Sequence, residues 1–159
     1  MALSKIPTDL VSGTLASSQL PAGSVLQVVS TTYSTQVSTT STSWVDTPHT
    51  ASITPSSSSS KIMVLMSASA YTDTGGPQLY ITVFRGNASS GTNLGNSVAG
   101  FGSSYPQNMK CNVSCAYLDT PATTSSVTYT IAMQLAAAGV GYLDVNGDMS
   151  TLTLLEIAA

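Results

Sequence analysis

The sequence predicts an all-β protein, an antiparallel sandwich or barrel, and three observations carry that reading. Segments rich in Val, Thr, Tyr and Ile alternate apolar with polar residues, clusters of Gly, Pro, Asn and Ser separate them at short intervals, and no stretch longer than two turns has helical periodicity. Many short strands without intervening helices favour a sandwich over βαβ units. No repeat of fixed period points to a solenoid or propeller.

The elements follow in chain order. Residues 1–23, "MALSKIPTDLVSGTLASSQLPAG", space Ile6, Leu10, Leu15 and Leu20 among polar residues and end in Pro-Ala-Gly. This pattern builds no core of its own. A frayed terminus fits it, but the recurrence of leucine favours an extended arm that lays those four side chains into grooves on another chain. Residues 24–47 are rich in Val, Thr and Tyr and suit one long strand with a kink or break before Trp44. In "KIMVLMSASAY" (61–71), Ile62, Val64, Met66, Ala68 and Ala70 share one face, and Met63, Leu65, Ser67, Ser69 and Tyr71 the other. A strand apolar on both faces at its start is expected to be covered on both, as when a sandwich's outer surface meets a neighbour.

Further strands are expected at 78–86 and 111–119, the latter with Cys111, Val113, Cys115 and Tyr117 on one face. In 126–135, Val127, Tyr129, Ile131, Met133 and Leu135 alternate with Thr128, Thr130, Ala132 and Gln134. The last strand, "MSTLTLLEIAA", sets Leu152 and Leu154 opposite Leu155 and Ile157. Between 52 and 71 five consecutive serines abut an apolar run. What precedes them is too short to complete a core, and the next strand begins at once, so the serines form a turn inside one domain (24–159) and not a linker between two.

Composition bounds the function. Charged residues are 7% of the chain, against about 25% in ordinary domains. Ser and Thr supply roughly three residues in ten. A monomer of 16.2 kDa exposes roughly 7,500 Å², and so few charged side chains cover only about an eighth of it. With a mean hydropathy of +0.23 and a net charge of −3, such a surface favours association. No apolar run reaches membrane-spanning length, and the start does not read as a signal peptide. The pI near 4.5 argues against nucleic acid.

Catalytic and metal chemistry find little footing. His49, the only histidine, lies three residues after Asp46, but no nucleophile elbow accompanies the pair. Carboxylates are scattered singly, with no acid–base pair evident. "DVNGDMS" (144–150) places Asp144, Asn146 and Asp148 like the start of a calcium loop, yet Met149 and Leu155 stand where the turn glycine and bidentate glutamate belong. Asn146-Gly147 reads instead as a type I′ hairpin turn. Cys111 and Cys115, four apart on a strand, are too far apart to bridge and lack further ligands. Two sequons, at Asn87 and Asn112, have no force without a secretory signal. The expectation is a protein without catalytic role, metal or cofactor.

Four stretches in order, "GSVLQVVSTTYST", "SITPSSSSSKIMVLMSASAY", "YLDTPATTSSVTYTIAMQL" and "STLTLLEIAA", resemble small virion proteins of tailed bacteriophages, trimeric jelly rolls of the C1q/tumour-necrosis-factor kind. The resemblance covers about residues 22 to 159. It implies a homotrimeric jelly-roll β-sandwich, made in the host cytoplasm and carried in the virion. Its role would be that of a capsid decoration protein or short fibre docked through the arm on major capsid or tail proteins. Late-strand residues Tyr129, Ile131, Leu152 and Leu154 are the candidate trimer contacts, and loops such as 86–96 would be displayed. The absence of a stalk favours decoration over a long fibre. The alternative is a receptor-binding tip whose loop aromatics, Tyr105 or Tyr142, contact a host glycan or protein. A glycan depolymerase would need paired carboxylates in a cleft, which the sequence does not advertise.

Overall fold

Lys61–Thr72 is the spine on which the domain is built, and its alternating sequence shows why. In the computed structural model, which describes residues 20–73, 77–104 and 109–159, Ile62, Val64, Met66, Ala68 and Ala70 are buried while Met63, Leu65, Ser67, Ser69 and Tyr71 point away from the core. The strands in chain order are β1 (Val25–Tyr33), β2 (Val37–Thr39), β3 (Val45–Ile53), β4 (Lys61–Thr72), β5 (Leu79–Arg85), β6 (Thr92–Asn93), β7 (Gly102–Ser104), β8 (Cys111–Asp119), β9 (Val127–Leu135), β10 (Gly141–Leu143) and β11 (Ser150–Ile157).

Two antiparallel sheets face each other. The first runs β1-β11-β4-β10-β2, with β8 on the far side of β4. Register reduces it to four lanes. β11 pairs with Lys61 to Ser67 and β10 with Ala70 to Thr72 on the same edge of β4, so β10 and β11 form one interrupted strand. β1 and β2 form another beside it. The second sheet runs β3-β9-β5-β6, with β7 also on β5. The chain crosses between sheets from β2 to β3, β3 to β4, β4 to β5, β7 to β8, β8 to β9 and β9 to β10, the winding of a jelly-roll sandwich. Period-2 patterning places one side of each strand in the shared core, with Ile53, Ile62, Leu79, Ile81, Tyr129, Leu135 and Leu143 fully buried.

Three expectations need correction. Residues 24–47 hold not one strand but β1, β2 and the start of β3, and the break before Trp44 is where the chain leaves one sheet for the other. β3 also contains Pro48 at an irregularity in its pairing between Asp46 and Thr50, where a residue without an N–H costs no ladder bond. Asn146-Gly147 adopts the turn geometry expected of it, with φ +61° and +80°, yet it closes no hairpin. It lies in a looped-out excursion between collinear β10 and β11, because both flanking segments pair with β4 and not with each other. Finally, the outward positions Thr130, Ala132 and Gln134 of β9 are buried, for a reason given below.

The serine run makes the crossover from β3 to β4. Ser57 and Ser59 hydroxyls share a hydrogen bond, Ser60 N–H donates to Ser57 O, and Ser56 donates to Glu156 through both its amide and its hydroxyl, each at 2.7 Å. The turn is therefore stitched to the final strand.

Candidate assembly surface

The outer faces of the two sheets are finished differently. On the second sheet, the segment after β5 folds back over the strands. Thr130 donates to Gly86 O, Gln134 to Val98 O, Trp44 Nε1 to Ser97 O, and Thr82 to Asn93 Oδ1. Trp44 packs edge-on against Phe84 at 6.2 Å. Of loop 86–96, expected as a display element, Gly86, Asn93 and the buried Leu94 join this covering layer, while Asn87, Ser89, Ser90, Gly91, Thr92 and Asn96 stay exposed. That is why the outward half of β9 is out of water.

On the first sheet, none of the described residues plays that part. Register aligns four outward apolar side chains in one row across four lanes, Val28 to Leu155, Leu155 to Met63 and Met63 to Leu118. The next row reads Ser30, Thr153, Leu65 and Ala116, and the one beyond it Thr32, Thr151, Ser67 and Ser114. Val28 is 57% exposed, Leu118 44% and Leu65 38%. One end of the face is thus apolar and the middle is hydroxyl, with Ser30 and Thr153 hydrogen-bonded at 2.7 Å. Among the strands' outward side chains in these rows none is charged. Charges flank these rows: Lys61 one row further on beside Ile157, and at the other end Asp148, whose carboxylate accepts from Ser69 Oγ at 2.8 Å. A contiguous exposed apolar row without charge marks an interaction surface more than a solvated one.

The named trimer candidates lie elsewhere. Tyr129, Ile131, Leu152 and Leu154 are all buried within one chain, facing the opposite sheet, so they have no surface to offer a neighbour. Alternation explains the miss, since their outward partners on the same strands are Thr128, Thr130, Thr153 and Leu155. Of the arm candidates, Ile6, Leu10 and Leu15 lie outside the described residues, as does Tyr105. Leu20 is half-buried. Next to it Gly23 N–H donates to Ala158 O, and Ala158 N–H to Ser24 O. The doubly apolar start of β4 was the signal that pointed to this candidate face. Val28 and Leu118 carried no such signal, because only pairing sets them in line with Met63.

His49 is buried and stacks on Tyr33 with ring centroids 4.3 Å apart. Its Nε2 lies 3.2 Å from Asp144 Oδ2 without hydrogen-bond alignment. Burial lowers its pKa to about 4 and raises that of Asp144, whose other oxygen accepts from Ser150 Oγ at 2.5 Å. Asp46 instead accepts from Ala88 N–H. Serine, histidine and aspartate do meet here, but the serine bonds the aspartate and all three are out of solvent. Asp144 turns inward while Asp148 pairs with Lys110 at 2.7 Å, so the two carboxylates of the calcium-like stretch diverge. Among the described residues no group of three or more His, Cys, Asp or Glu is arranged to hold a metal. Cys111 and Cys115 are free thiols. Burial pushes Cys115 up to about 11, against a smaller opposing backbone hydrogen bond at Met66, which leaves it protonated at neutral pH. Asp119 of the Leu-Asp-x-Pro stretch accepts from Arg85 Nη1 at 3.0 and 3.1 Å and from the Tyr129 hydroxyl at 2.8 Å. Burial and that carboxylate push the Tyr129 hydroxyl well above its ordinary value.

No protein-family model matches the chain, and no curated protein matches it. Among solved structures it is similar to a mutant VP2 protein of infectious bursal disease virus in derived T=1 particles, with 16% identity, a TM-score of 0.45, and 86% of this chain on 37% of that one. The structure of the Gx strain of the same virus gives 16%, 0.44, and 86% on 39%, and a VP2 subviral particle 13%, 0.43, and 86% on 38%. The chain spans less than two-fifths of the length of these structures.

Proposed function

We propose that this protein is a virion structural protein, a homotrimeric capsid decoration protein or short fibre that assembles through the outer face of its six-stranded sheet. The observation that carries the reading is the uncovered row Val28–Leu155–Met63–Leu118, with Leu65 beside it, on a domain whose other sheet is covered by its own chain. Further copies of the same chain suit this face best. Its rows offer no charge with which a charged partner could be selected, and a face of apolar and hydroxyl side chains is compatible with itself around a symmetry axis. Burial there contributes about 25 cal/mol per Å² before the cost of association. The three-fold state, the phage origin and docking on capsid or tail proteins through residues 1–23 rest on the resemblance of the four sequence stretches. The role is mechanical, stiffening or extending the particle, with no reacting group. Quantifying the protein in purified particles of the virus that encodes it tests the reading. Hundreds of copies support decoration and a few trimers a fibre, while absence from the particle overturns both.

A further inference from the structure

The outer face of the six-stranded sheet has a second end. Tyr71 on β4 and Tyr142 on β10 are direct partners across the ladder, and their rings sit 5.9 Å apart, tilted by 43°. With Gln36 and Val145 they line an open cleft of about 180 Å³. Pockets for drug-sized molecules run from about 300 Å³ upward, so this cleft suits one small ring. The Tyr142 hydroxyl donates to Asp73 Oδ2 at 3.3 Å. Past Val145, whose carbonyl accepts from Lys110 Nζ at 2.9 Å, stands the Lys110–Asp148 ion pair. In a chain with only 4 basic and 7 acidic residues, one end of one sheet holds Asp73, Lys110 and Asp148 around a pair of tyrosines.

We propose that this cleft is a carbohydrate-binding site, taking a neutral sugar ring against Tyr71 and Tyr142 with its hydroxyls on Gln36 and Asp73. The chemistry selects that class. A tyrosine face carries negative electrostatic potential and receives the weakly positive C–H face of a pyranose, while the carboxylate and amide at the rim satisfy hydroxyls. Anionic ligands are disfavoured, because Lys110 is engaged by both Asp148 and the Val145 carbonyl and Asp73 adds negative charge at the rim. An aliphatic chain would leave those rim groups without partners. Tyr71 and Met63 lie on the same face of β4, eight residues or roughly 27 Å apart, so the sugar cleft and the apolar row occupy opposite ends. Assembly through the row leaves the clefts open, and the two proposals stand or fall separately.

Saturation-transfer NMR on the full chain tests this, using the methyl glycosides of glucose, galactose, mannose and N-acetylglucosamine at millimolar concentration. The expected result is transfer to the ring C–H protons of at least one glycoside, with Tyr142→Ser binding roughly three- to tenfold more weakly and Ser58→Ala, at an exposed position in the serine turn, unchanged. Gln36→Ala, at an exposed position between β1 and β2, weakens binding in the same direction and serves should Tyr142→Ser fail to fold. No transfer to any of the four, or transfer unaltered in the folded cleft variants, overturns the proposal. A monomer that still shows transfer would contradict the assembly reading alone.

Discussion

Glu156 accepts two hydrogen bonds from Ser56, which lies 100 residues earlier in the serine-rich turn, one from the amide and one from the hydroxyl. Gln27 Nε2 supplies another at 2.6 Å. Burial alone would raise the Glu156 carboxyl, but the hydrogen bonds from Ser60, Gln27 and Ser56 outweigh it and hold the group below its ordinary value. A buried carboxylate on the last strand thereby fixes the start of β1 and the crossover into β4 at one point.

Ser56→Ala removes the hydroxyl donor and leaves the amide. A hydrogen bond to a charged acceptor is worth about 1.5–3 kcal/mol, so the thermal midpoint should fall by roughly 3–12 °C, while Ser58→Ala should move it by less than about 2 °C. Scanning calorimetry on the two variants checks the contrast.

His49 gives the fold an acid-sensitive window. Its pKa is 6.5 unfolded and about 4 folded, so between these values the unfolded chain binds a proton that the folded chain refuses. Stability is full above pH 6.5 and falls as pH drops toward 4, by about 2 kcal/mol at pH 5. Asp144, raised by burial, contributes with the opposite sign above 3.8 and reduces the loss. Loss through Glu156 belongs to lower pH, below about 4.5. The denaturation midpoint should drop between pH 7 and pH 5 in the wild type and drop less in His49→Gln.

Asp119 ties β8 to β5 and β9 through Arg85 and Tyr129. Asp119→Ala leaves a partly buried guanidinium without its partner and should cost about 3 kcal/mol. Tyr129→Phe removes one hydrogen bond, about 1 kcal/mol. Because both act on one network, the double variant should cost less than the two summed, which urea denaturation resolves.

Gly100 holds the covering segment of the second sheet. Its φ is +62°, and a Cβ there would collide with the Ile81 carbonyl. Gly100→Ala should therefore lift residues 94–101 from the sheet, exposing Trp44, and shift its fluorescence emission to longer wavelength. Gly147→Ala, with positive φ but open space around it, should cost only about 1 kcal/mol and leave that emission unchanged.

Much of the fold was legible because period-2 alternation is a local property. β4, β8, β9 and β11 stand within two residues of where their patterns put them. What local patterning does not encode is partnership. Three-residue strands such as β2 and β10 have too few positions to alternate, and Asn146-Gly147 has the same turn signature whether it closes a hairpin or an excursion. The candidate surface was half legible for the same reason. Met63 and Leu65 announce an outward apolar face in their own strand, whereas Val28, Leu155 and Leu118 join it only through register across three ladders. The buried trimer candidates Tyr129 and Leu152 show the converse error: strong alternation identifies a core face, and in a single sandwich the core is its first claimant.

The most direct test of the assembly surface is the solution mass of the full chain by light scattering, beside Leu65→Lys and Met63→Lys. The expected mass is about three times the 16.2 kDa chain mass for the wild type and that of a folded monomer for each variant, since a charge in the row would be buried unpaired at the interface. A wild-type monomer, or folded variants that keep the wild-type mass, would contradict it.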